Sequence, residues 1–348
     1  SFSTRRSSDL DPAAAGYTAA TNTALNDTLE REFSAAPGVQ SVGLALYSPL
    51  QHDNWGDGIF IEGRPAPGPN EDTGASWDRV SKDFFTAVGQ HIVRGRGFTE
   101  QDTPTSQLVV VVNEAFVKKF FPKQDPIGQH FGTFDLKYSR DFEIVGVVSD
   151  AKYVAPREPV RPMFFRALNQ RDTAFTEPPA VTGETRSLFI DSITVLYQGN
   201  PQELESFARR TLAKINPDLM MISFHSLDYQ VADNFNEERL IARLTMLFGL
   251  VALGLASVGL YGLTAYSVTR RTGEIGVRMA MGATRGNVLG MIMRSAMLQI
   301  GLGLAIGIPI TLLGGRVMAS QLYGVKIYDP VTLLFAVAVL AACAALAG

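Results

Sequence analysis

Twenty-six consecutive residues between Arg243 and Arg270, LTMLFGLVALGLASVGLYGLTAYSVT, carry no formal charge, and twenty-one more lie uncharged between Arg294 and Arg316. Each run is long enough to cross a bilayer as a helix, which takes roughly 20 apolar residues. A third uncharged run, residues 331–348, follows Asp329-Pro330 and reads as most of another span. Soluble helices are seldom apolar around their whole circumference, and three in succession point to lipid. Glycines at 249, 254, 259 and 262, and again at 301, 303 and 307, suit the close backbone approach of packed membrane helices. Pro309 is positioned to kink the second span.

Charge fixes an orientation. The linker from Arg270 to Arg294 holds Arg270, Arg271, Arg278, Arg285 and Arg294 against a single acid, Glu274, whereas the linker after the second run offers only Lys326 and Asp329. The positive-inside rule places the arginine-rich linker in the cytoplasm, and everything before about residue 240 outside it. The chain as a whole is nearly neutral, with a formal net charge of -3, and carries no basic stripe of the kind a nucleic-acid binder uses. Its single cysteine, Cys343, excludes an internal disulfide and a cysteine-based zinc cluster. The opening SFSTRRSSDL has no periodicity; residues 1–10 read as non-native or disordered, joining nothing, and the chain reads as a piece of a longer protein.

The region before the spans, 11–239, reads as an α+β domain: a split βαβ-type subdomain (11–48 plus 188–226) with an α/β subdomain (49–187) inserted into it. The pattern predicts a helix over 12–36, strands over 39–47, 107–112, 142–148, 188–197 and 219–224, and helices over 113–121 and 201–215. Asn113 and Asn200 stand as N-caps, Pro201 at the first helical position, and Asn216-Pro217 as a stop. GRGF (95–98) and DPIGQ (125–129) read as turn chemistry. Residues 240–348 read as an all-α transmembrane domain with helices near 241–269, 286–317 and 331–348.

No GxxxxGK[ST] loop is present, so nothing here binds ATP phosphates through a P-loop. The histidines His52, His91, His130 and His225 are scattered, with no HExxH. No catalytic residue, metal ligand or cofactor site is assigned. The arginine-rich linker is different. On a helical wheel Arg271, Glu274, Arg278 and Arg285 share one stripe, with Ile275, Met279 and Gly282 beside it. Glu274 and Arg278 are an i,i+4 pair in the favourable order. Such a helix either lies along the membrane surface, doing no more than set topology, or docks on a cytoplasmic partner.

These residues are also familiar in kind. RRTGEIGVRMAMGA (270–283), after LFGLVALGLASVGLYG (247–262), resembles the FtsX-like permeases of ABC transporters, in particular the MacB-type branch. VSKDFFTAVG (80–89), RGRGFTEQD (94–102), VVNEAFVKKFFP (111–122), DPIGQ (125–129) and VGVVSD (145–150) are similar to the MacB-type periplasmic core domain. The resemblance implies four transmembrane helices, the first of them before this chain's start, and an inner-membrane protein whose large domain is periplasmic. It implies a cytoplasmic coupling segment over 270–285, in which Arg271, Glu274, Ile275, Gly276, Arg278, Ala280, Gly282 and Ala283 contact an ABC ATPase subunit. ATP and Mg would then sit on that ATPase and not on this chain. A second permease copy, or a second module in the same polypeptide, and a periplasmic adaptor are the further partners implied. The implied activity is export by mechanotransmission; the competing expectation is a signalling protein that uses the same lever to control an envelope enzyme. Gly273 departs from the family pattern, which often has a basic residue there, and loosens the helix by about 1 kcal/mol.

Overall fold

The computed structural model describes residues 4–51, 53–284 and 301–310, together with 286, 287, 290, 294, 298 and 313. The chain divides into two compact units, Ser1–Phe235 and Asn236–Gly348.

The first unit runs β1 (Thr4–Asp9), α1 (Ala19–Ser34), β2 (Val39–Ala45), β3 (Trp55–Ile61), β4 (Gly74–Val80), α2 (Phe84–Val88), β5 (Ile92–Gly95), β6 (Val109–Asn113), α3 (Glu114–Phe120), β7 (His130–Thr133), β8 (Phe142–Val148), β9 (Met163–Ala167), α4 (Pro178–Arg186), β10 (Ser192–Tyr197), α5 (Pro201–Ile215), β11 (Ser223–Ser226) and α6 (Leu227–Asp233). The strands form one sheet in the order β11-β1-β10-β2-β4-β3-β7-β8-β6-β9, with β5 on β8 and β4 also paired to β9. The link between β2 and β4 is a single residue pair, Ala45 opposite Val80. The sheet is therefore two lobes whose ladder narrows to one pair, with α2 packed across the junction through Phe84 against Gly43 of β2.

Each lobe has its own core. One packs α1 and α5 on β2 and β10 through Leu25, Leu29, Phe33, Leu44, Ile193, Leu204 and Leu212. The other is built on aromatics: Phe164 meets Trp77, Phe116, Phe131 and Phe142 at ring separations of 5.2–6.3 Å. In this second lobe β6 reads VVVVN and is buried along its length, as a strand covered on both faces must be.

Local signals explain most boundaries. Asn113 Oδ1 accepts from the Phe116 amide at 2.9 Å and starts α3. Asn200 Oδ1 accepts from Gln202 at 3.0 Å, and Pro201 opens α5. Within GRGF, Gly95 has φ +67, and a Cβ there would lie 2.3 Å from the Val145 carbonyl oxygen. Only glycine fits that crossing. Arg96 of the same turn holds Asp102 with two bonds, at 2.8 and 2.9 Å.

Four expectations need correction. The opening segment joins the sheet, because Thr4–Asp9 lies between β10 and β11 with both registers antiparallel. Main-chain pairing makes that strand, so its sequence shows no apolar alternation. The first helix begins at Ala19, since Asp11 Oδ1 accepts from Ala14 and closes a separate turn, and the Thr18 amide bonds to Thr21 Oγ1 at 2.9 Å to start α1. β10 begins at Ser192, four residues later than the pattern suggests, and β11 at Ser223. Backbone pairing with β1 sets both limits.

The second unit holds α7 (Asn236–Arg270) and α8 (Thr272–Ala280). Among the described residues, one helix is long and apolar enough to cross a membrane: the 32-residue stretch Arg239–Arg270, which contains an 18-residue window of mean hydropathy 2.0. At ~1.5 Å per residue it reaches about 48 Å, beyond a hydrocarbon core of roughly 30 Å. Residues 301–310 are helical. Residues 286, 287, 290, 294, 298 and 313 of the expected second span are helical as well; its remaining residues and all of 331–348 lie outside the described residues.

Candidate functional site

α7 does not run on into the linker. Arg271 leaves helical geometry at φ -103 and ψ 10, while its amide still reaches the Ser267 and Val268 carbonyls at 3.2 and 3.1 Å. Thr272 Oγ1 donates to the carbonyls of Val268 and Thr269, at 3.1 and 2.8 Å, and closes the end of α7. α8 follows at once as a helix of nine residues.

Its end is a complete Schellman motif. The Ala283 amide bonds the Arg278 carbonyl at 3.0 Å, the Gly282 amide bonds the Met279 carbonyl at 3.1 Å, and Gly282 takes φ +96. A side chain at 282 would strain that turn, which is why the glycine ends the helix where it does.

The eight residues singled out from the sequence are thus placed in order along one short element. Arg271 is the joint, Glu274 lies in the first turn, Ile275 and Gly276 follow, Arg278 is in the last turn, Ala280 closes the helix, and Gly282 with Ala283 forms the cap. Glu274 near the N-terminus and Arg278 near the C-terminus each suit the local end of the helix dipole. Ile275 and Ala283 are half-buried and the other six are exposed. Val277, Met279 and Met281 are exposed at 60%, 44% and 76%. Gly273 falls within the first turn without interrupting it.

A second constellation, with no motif to announce it, lies in the first unit. Arg79 on β4 pairs with Glu184 on α4, Nη2 to Oε1 at 2.9 Å, and Arg166 on β9 takes the other carboxylate oxygen at 2.7 Å. Arg79 also donates through Nε to Ser187 Oγ at 3.2 Å and through Nη1 to the Gln170 carbonyl. The Arg166 guanidinium lies 4.8 Å from the Phe142 ring centre and 5.3 Å from that of Trp77. Burial works to raise Glu184, but Arg166 and Arg79 outweigh it and hold the carboxyl at about 2. Burial, with Arg166 beside it, brings Arg79 down to about 10. Next to Arg79 in the chain, Asp78 accepts from its neighbour's amide at 2.7 Å and from the Tyr153 hydroxyl, and burial pushes it up to about 8. These groups clamp β4, β9 and α4 together.

Comparison with known proteins covers both units. The family model of the MacB-like periplasmic core domain matches residues 6–199, and that of the FtsX-like permease C-terminal matches residues 246–348. A macrolide export ATP-binding/permease protein MacB of Mannheimia succiniciproducens is 27% identical over 244 residues, 68% of this chain and 35% of that protein. A probable syringafactin export ATP-binding/permease protein SyfD of Pseudomonas syringae pv. syringae is 26% identical, over 72% of this chain and 36% of that protein. The chain spans about a third of the length of these relatives. Among solved structures, the periplasmic region of MacB from Actinobacillus actinomycetemcomitans is similar at a TM-score of 0.41 and 19% identity, covering 67% of this chain and 92% of that one.

Proposed function

The chain belongs to the MacB/FtsX-like permeases of ABC transporters, and from that premise we propose that α8 is the element through which an ATPase subunit drives it. The carrying observation is α8 itself: a capped helix following a membrane-length apolar helix, with charge and apolar side chains both exposed. Setting topology needs the arginines alone. A stop built from a left-handed glycine and two backbone bonds fixes length and direction as well, which a lever needs.

In this reading the ATPase binds ATP and Mg in the cytoplasm and its closure pushes Arg271–Ala283. The apolar spans pivot, and the first unit, in the periplasm, changes its spacing from that of a second copy or module. Export follows from that movement, without passage of the substrate between the helices, and a periplasmic adaptor would receive it. The relatives' names pair an ATP-binding part with a permease part, which supports the ATPase as partner.

The test is association. The full-length permease, in lipid nanodiscs, is mixed with its ATPase, and Val277→Glu is compared with the unaltered protein. The exposed apolar site at 277 should be covered on docking, so the variant should bind at least about tenfold more weakly. Equal binding would remove α8 from the interface.

A further inference from the structure

The narrow strand ladder and α2 are not all that joins the two lobes. α6 packs on β1 and β11, and so belongs to the lobe of α1 and α5. Its C-cap residue, Asn234, bonds in two directions: Nδ2 donates to the Gln230 carbonyl of its own helix at 2.8 Å, and to the Leu50 carbonyl, 184 residues back in the chain, at 3.0 Å. The Leu50 amide in turn donates to the Tyr153 carbonyl at 2.6 Å. Tyr153 is fixed in the aromatic lobe: it is buried, its ring meets Tyr47 edge to face at 5.4 Å, and its hydroxyl donates to Asp78 of β4.

Leu50 holds φ +67. A bulky side chain is rarely found in that left-handed region, and such a conformation lasts only where the surroundings fix it from more than one side. Both main-chain groups of Leu50 are engaged, the amide by the aromatic lobe and the carbonyl by the end of α6. The following residue adds a contact of its own: the Arg157 guanidinium, on the segment between Tyr153 and β9, lies 5.4 Å from the ring centre of Phe235. α7 begins at the next residue, Asn236.

We propose that Asn234 and Phe235 are a latch, which joins the root of the membrane-length helix to the aromatic lobe through Leu50, Tyr153 and Arg157 and sets the angle between the two lobes. A displacement at the root of α7 then acts on the aromatic lobe through the hydrogen bonds of Leu50, without crossing the sheet at Ala45 and Val80. Under the coupling reading of α8, this is where movement of α7 enters the first unit. That direction of use rests on that reading; the latch itself does not.

The test uses the full chain in nanodiscs without an ATPase, so failure of the coupling reading would leave it standing. With Cys343 replaced by alanine, spin labels are placed at Ser206→Cys on α5 and Lys118→Cys on α3, exposed sites one in each lobe. Double electron–electron resonance reads the distance between them. The intact latch should give one narrow distribution. Asn234→Asp, the same shape without the donor, should lose it to a broad or two-peaked one, and Leu50→Pro, which has no amide hydrogen and cannot take positive φ, should do the same. Leu50→Asn keeps both main-chain bonds and tolerates the left-handed region, so it should stay narrow. A broad distribution with the latch intact, a narrow one in Asn234→Asp, or a Leu50→Asn as broad as Leu50→Pro would each overturn the proposal. If Leu50→Pro does not fold, Asn234→Asp against Leu50→Asn decides.

Discussion

Arg79 and Glu184 meet at 2.9 Å with both side chains closed to solvent, though 105 residues separate them in the chain. The pair, completed by Arg166, fastens α4 across β4 and β9. Replacing Glu184 by Gln leaves two buried guanidinium groups without their counter-charge. Breaking a buried pair in this way costs about 3–5 kcal/mol. Urea denaturation of the first unit should show the loss, and Glu205→Gln, from the exposed pair with Arg209, should change stability by less than about 1 kcal/mol.

The same carboxylate sets an acid limb. Glu184 titrates near 2 when folded and near its ordinary 4.5 when unfolded. The unfolded chain therefore binds more protons between those values, so its stabilisation is complete above about 4.5 and is lost as pH falls towards 2. Thermal melts of the unaltered protein should fall across that window, and those of Glu184→Gln should fall less steeply.

Asp78 acts in the opposite sense. Burial raises it to about 8 from an ordinary 3.8, so the folded protein holds the extra proton between these values. Stability should decline as pH climbs towards 8. Asp78→Asn, which keeps a partner for Tyr153 and cannot ionise, should flatten that decline. A variant curve parallel to that of the unaltered protein from pH 5 to 8.5 would show that Asp78 is charged in the fold.

The aromatic lobe turns on Phe164, whose ring neighbours are Trp77, Phe116, Phe131 and Phe142. Phe164→Ala should cost about 3–5 kcal/mol in equilibrium unfolding and Phe164→Leu markedly less, because the leucine fills part of the cavity.

Much of this was legible in the sequence where a signal is local. Asn113, Asn200 and Gly282 each mark a helix end by chemistry confined to a few residues, and each acts there in the structure. The uncharged run before Arg270 is a helix for a reason written in every residue of it. Partners distant in sequence were not legible. Nothing near Arg79 names Glu184, and nothing in TRRSSD announces a strand whose bonds are made by the main chain with β10 and β11.

The cap of α8 offers a subtler test of the lever. Gly282→Val forces a β-branched residue to φ +96 and should fray the helix end, at a local cost of about 1–2 kcal/mol. Helicity of the first unit should be untouched, while coupling to the ATPase falls; Gly282→Asn, which tolerates left-handed geometry, should retain most of it.

If α8 transmits force from an ATPase, ATP turnover must register it. The full-length permease and its ATPase are reconstituted in lipid, and hydrolysis is followed for the unaltered protein, Glu274→Ala and Arg278→Ala. The permease should change the ATPase rate, and both variants should lose that change while remaining folded in the membrane. Identical rates with and without the permease, or variants that match the unaltered protein, would contradict it and leave the arginines of the linker with topology as their whole task.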